Sequence, residues 1–163
     1  MSRQLLELEV FIQQLIVEHR KLLAHIEAHE AAMKKMDLTV MDDTAALQEG
    51  TRLRITTIEN KRRTAVSNMC RALKIQGEPT MEKIAALFPA RREHLMKQRA
   101  ELKGLVSQIK NRSNVDGRLA GAVLGHLNTV VRVLAGAVEQ AGLYTKHGVP
   151  QVAGRIGVME AVG

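Results

Sequence analysis

The residues best suited to chemistry here are histidines and carboxylates at helical spacing. His25 and His29 stand four apart with Glu30 adjacent, so on a helix both imidazoles share a face with a carboxylate. The order is not the HExxH of a zinc peptidase, and two imidazoles without a third ligand hold a metal weakly. His29 also falls on an apolar heptad line, which favours a seam histidine, and His19 is a similar polar seam position able to fix register. No serine or cysteine sits in a glycine-flanked elbow or near a patterned histidine, so no nucleophile constellation forms. Gly117, Gly121 and Gly125 follow no strand and lack the Lys-Ser/Thr ending of a phosphate loop. These absences point away from an enzyme, and no cofactor is expected.

A second kind of chemistry is electrostatic. Arg52, Arg54, Lys61, Arg62, Arg63, Arg71 and Lys74 recur at helical spacing within a chain of formal net charge +7. Such a face can contact phosphates, and a nucleic-acid-associated helical protein is one reading. Single-strand binding adds stacking aromatics, which residues 52–74 lack, and no helix-turn-helix spacing or zinc finger is visible. A solvated face that steers an acidic protein, or pairs with the acidic first segment, is the plainer reading. Acids outnumber bases over residues 1–50 and the reverse holds over 51–118, which suggests more than one functional surface.

The elements that position these residues are helices. Leu5, Leu8, Ile12, Leu15, His19, Leu22, Ile26, His29, Met33 and Met36 alternate steps of three and four, the spacing of a coiled-coil face. Phe11, Ile16 and Leu23 widen that stripe enough to meet more than one neighbour. Helices are expected over about 3–36, 43–76, 80–88 and 90–141, with Ser2 and Asp43 as N-caps of the first two and Gly77 closing the second. The second stripe is Leu47, Ile55, Ile58, Ala65, Val66, Met69, Ala72 and Leu73, interrupted by Arg62. Thr80 caps the short third helix and Pro89 stops it. The last helix carries the heptad line Leu95, Leu102, Leu105, Ile109, Leu119, Val123, Leu127, Val130, Leu134, Ala137 and Ala141; Asn111, Asn114, Asp116 and Gly117 are poor helix formers, so a kink or local break is expected near 111–117. Beyond it the glycines at 117, 121 and 125 open one face to close approach by another helix.

The expected fold is all-α: an elongated antiparallel helical hairpin extended to a three-long-helix, coiled-coil-like bundle with one short extra helix. Residues 1–142 form its domain, and 143–163 a flexible Gly-rich tail. Apolar residues reach 45% but aromatics only 2%, a composition suited to a Leu/Ile/Val/Met seam. A lone Cys70 leaves no intrachain disulfide or cysteine cluster. Glu7 and Glu9 interrupt the amino-terminal apolar stretch, and Arg132 interrupts Leu119 to Val138, so neither a signal peptide nor a membrane span is expected. The protein is expected in the cytoplasm.

This order of parts resembles the FlgN family of flagellar export chaperones. The resemblance covers roughly residues 3–148 and rests on the heptad helix, the basic second helix, the "TMEKIAALFP" insert and the long last helix. Within the latter, "NRSNVDGRLAGAVLGHLNTVVRVL" is similar to the family's Asn-containing turn and leucine-rich segment, with the Leu127-Asn128 pair. Tyr144 and Gly148 follow as Tyr-x-x-x-Gly. The resemblance implies capture of terminal helical segments of hook-associated proteins and delivery to the cytoplasmic domain of the export gate. It implies that Leu119, Val123, Leu127, Val130, Val131 and Leu134 bind cargo, that Tyr144 contacts the gate, and that no small-molecule substrate is used. The glycines at 117, 121 and 125 and the long tail depart from the family pattern. A homodimer, and a purely structural coiled coil without cargo, stay open as alternatives.

Overall fold

The computed structural model describes residues 3–75 and 79–142, with side chains up to residue 134. Four α-helices and one 3-10 turn follow in chain order: α1 (Arg3–Lys35), α2 (Leu38–Ala72), α3 (Met81–Leu87), the turn Pro89–Arg91, and α4 (Arg92–Gly142). There is no strand among the described residues. Long helices pack against each other in an all-α bundle. Two compact units are distinguished, residues 1–120 and residues 121–163, so α4 belongs to both.

In the first unit α1 is the central helix. Its heptad residues Leu5, Leu8, Ile12, Leu15, Leu22, Ile26 and Met33 are at most 4% exposed. His19 and His29 are half-buried, and Met36 is exposed. Ile16 is also buried, which lets α1 serve two neighbours. One cluster joins Leu5, Leu8 and Ile12 of α1 to Val66 and Met69 of α2, Ile84 and Ala85 of α3, and Leu95 of α4. A second joins Leu22 and Ile26 to Ile109, with Ile55 against it. The helix order is up, down, up: Leu5 and Leu8 cluster with Val66 and Met69 while Glu18 pairs with Arg54, and Glu9 and Arg20 pair with Arg91 and Glu101.

Helix α2 departs from the sequence reading at both ends. It begins at Leu38, not near 43, because Asp37 caps it, accepting from the Val40 N–H at 3.1 Å. Met36, at φ 55°, makes the left-handed turn between α1 and α2. At the far end the helix stops at Ala72, and Lys74, at φ 52°, takes the left-handed position expected of Gly77. Gly77 and the Ser2 cap lie outside the described residues. Leu47 was expected on the stripe and is 50% exposed. Thr44, Gln48 and Thr51 face inward in its place. The hydroxyls of Thr44 and Thr51 donate to the carbonyls of Val40 and Leu47 at 2.6 and 2.8 Å, so those side chains bury without a loose donor.

Thr80 caps α3 as expected, accepting from Lys83 N–H at 3.3 Å. Pro89 does more than stop it: it opens the 3-10 turn that leads into α4. Of the kink or local break expected at 111–117, the break is absent, for α4 is helical throughout this stretch. Ion pairs from Arg112 to Glu27 and Glu30, and the contact between Asp116 and His29, fasten this stretch of poor helix formers to α1. Tertiary contacts thereby override local propensity.

Candidate functional site

The helix that carries the expected cargo residues is held to α1 by charge as far as Asp116. Glu9, 6% exposed, accepts from Nε and Nη2 of Arg91 at 2.9 and 2.6 Å. That hydrogen-bonded carboxylate raises the Arg91 pKa above its ordinary value. Glu30, 4% exposed, accepts from Arg112 at 3.2 Å. The Nδ1 of His29 lies 2.7 Å from Oδ1 of Asp116, so this ring is engaged with α4 rather than paired with His25. His19 Nδ1 lies 2.7 Å from its own Leu15 carbonyl. Among the described residues no three His, Cys, Asp or Glu are grouped to hold a metal ion.

On the α2 side much of the basic run is already partnered. Arg54 donates to Glu18 at 2.9 Å, and Lys21 donates to the same carboxylate at 2.7 Å. Burial raises the Glu18 pKa, but hydrogen bonds from Arg54 and Lys21 outweigh it and leave the group below its ordinary value. Arg62 and Arg63 both bind Glu59, whose pKa is lowered chiefly by the hydrogen bond from Arg62. The acidic first helix therefore does meet the basic second one, at Glu18 and Arg54. Glu9, Glu18 and Glu30 are the residues that sequence reasoning missed. Their signal was an acid beside the seam with an arginine on a neighbouring helix.

From residue 121 onward α4 presents apolar side chains outward. Val130, Val131 and Leu134 are 40%, 63% and 60% exposed, and Leu124 and Val133, unforeseen in the sequence because they lie off the heptad line, are 61% and 66% exposed. Leu119 and Leu127 are half-buried and Val123 is buried. The six expected cargo residues thus divide into an exposed trio and three that are wholly or partly covered. Tyr144 lies outside the described residues, as does the 143–163 tail. A Cβ added at Gly117, Gly121 or Gly125 meets nothing within 4 Å, so among the described residues no helix makes the expected close approach at these glycines. No described helix is long and apolar enough to cross a membrane.

An all-α bundle in which Glu9, Glu18, Glu30 and His29 are taken up by interhelical pairs, with apolar side chains exposed between residues 124 and 134, has the features of a protein-binding module rather than of a catalytic centre. The chain belongs to the FlgN family of flagellar export chaperones: the family model described as FlgN protein matches residues 1–151. No curated protein matches the chain, and no solved structure does.

Proposed function

We propose that this chain is a cytoplasmic chaperone for hook-associated flagellar proteins, holding their terminal helical segments along the outer part of α4 and delivering them to the export gate. The observation that carries this reading is the exposure of Val130, Val131 and Leu134 on one helix. In water such a surface is costly, and a visiting amphipathic helix covers it. Leu124 and Val133 extend the same surface. Leu119, Val123 and Leu127, being more covered, act as its inner edge, and Tyr144 remains the proposed gate contact. The membership in a chaperone family supports protein binding as the activity. The nucleic-acid reading loses support because Arg54, Arg62 and Arg63 already have carboxylate partners.

The test is affinity capture of hook-associated proteins from flagellated cells by the intact chain and by a V131D/L134D variant. Recovery by the former and loss by the latter, with an unchanged melting curve, is expected. Equal recovery by both would overturn this choice of surface.

A further inference from the structure

A second surface lies in the first unit and shares no residue with the stretch 124–134. Ion pairs join α1 to α2 and α1 to α4, while among the described residues none joins α2 to α4. Between the two flanking helices run adjoining hollows of about 480 and 310 Å³, which share His19, Ile55 and Val106. Ile55, Leu102 and Val106 supply the accessible apolar lining, while Ile12, Leu15 and Leu22 of α1 lie beneath it and are nearly covered. The rims are cationic: Arg52 and Arg62 stand on α2, Arg99 and Lys103 on α4. Arg62 is matched by Glu59 and Arg99 by Glu82. Among the described residues Arg52 reaches only the Gln48 amide oxygen, at 3.5 Å, and Lys103 shares the Glu82 carboxylate with Arg99 at longer range, so the rims keep an excess of positive charge.

The protein itself shows what this channel accepts. Met81 closes one end, so α3 is a short fourth helix at the channel's mouth. Ile84 and Ala85 are buried against α1, α2 and α4, while Glu82 reaches the rim at Arg99, 2.7 Å away. Beyond α3 the same apolar lining and cationic rims continue. We infer that the channel between α2 and α4 is a docking site for an amphipathic helix of a partner protein, apolar on one face and acidic along its flanks, seated end to end with α3. The site is separate from the proposed cargo surface and stands whether or not that reading holds. A nucleic acid fits it poorly, since phosphates gain nothing from the apolar lining at Ile55, Leu102 and Val106.

The probe is a labelled synthetic peptide of about 15 residues, roughly 22 Å as a helix, with leucines on one face and glutamates beside them. A twin carries lysines in place of the glutamates. Anisotropy titrations use the intact chain at about 150 mM salt, where unpaired surface charge is well screened. Saturable binding of one Glu peptide per chain is expected, with the Lys twin about tenfold weaker, the reach of two rim charges. V106D should abolish binding while R52E/K103E reverses the preference between the twins. L134D should leave both unchanged. Val106 is 48% exposed, so V106D is expected to fold, and the charge reversal tests the site independently of it. Equal affinity for the twins, or loss of binding with L134D, overturns the inference. So does an oligonucleotide that binds more tightly than the Glu peptide and is released by R52E/K103E. A dimer in light scattering that V106D splits assigns the channel to a second copy and overturns it equally.

Discussion

The same substitution at two places on α4 separates the helix's structural role from its proposed recognition role. Leu95 is 0% exposed and sits in the cluster with Leu5, Leu8, Val66 and Ile84. Leu95→Ala removes buried carbons and leaves a cavity, a loss of about 3 kcal/mol for a well-enclosed leucine. With an m-value near 2 kcal/mol/M, the urea midpoint falls by roughly 1.5 M. Leu134 is 60% exposed, so Leu134→Ala removes little that folding has buried. Its expected change in stability is within about 0.5 kcal/mol. Cargo, however, would cover most of that exposed leucine. The area newly buried is worth about 1 kcal/mol, so the dissociation constant for a hook-associated protein rises roughly five- to tenfold. Urea denaturation followed by circular dichroism, and calorimetric titration with cargo, read the two quantities on the same two proteins. If Leu134→Ala lowers the midpoint as much as Leu95→Ala, or leaves affinity untouched, the division of α4 into a packed part and a recognition part is wrong.

Three further outcomes are expected. Glu18 and Glu59 have folded pKa values below the unfolded 4.5, so the stability they contribute is full above that pH and is lost as the pH falls through the lowered values; Glu18→Gln should flatten this acid limb in a pH series of urea midpoints. Arg112→Met strands the buried Glu30 carboxylate and should cost about 1–3 kcal/mol, whereas Arg112→Met combined with Glu30→Leu should recover much of it in thermal melts. Gly121→Ala and Gly125→Ala meet open space and each favour the helix by about 1 kcal/mol, so hydrogen exchange should slow across residues 117–134.

Apolar periodicity made α1 legible almost residue by residue, because its burial is repetitive and a heptad line has one arrangement that hides it. Helix α2 was harder to read. Its inward face near the turn is Thr44, Gln48 and Thr51, and nothing in hydropathy marks a threonine as buried when its hydroxyl returns to its own backbone. Its ends were misplaced because Asp37 and Lys74 perform the capping and turning expected of Asp43 and Gly77. The unbroken course of α4 through Asn111–Gly117 depends on partners more than eighty residues away, which local propensity does not see. At the proposed site the heptad line identified Val130 and Leu134 but overlooked Leu124 and Val133. Exposure of an apolar side chain is decided by which neighbours are missing, and a single helix pattern holds no record of that.

The pairs that fasten α4 to α1 are spaced 81 to 87 residues apart in sequence, a nearly constant offset along two parallel helices. Leucine seams tolerate slippage, since a shift of one heptad sets leucine on leucine again. These charges forbid it. After a slip of seven residues Arg20 would face His94 or Gln108, and Glu30 would be pressed against Leu105 or Leu119. The two rods are keyed like a lock's wards, so sliding of α4 along α1 breaks several pairs at once, and the register of the first unit is held as far as Asp116.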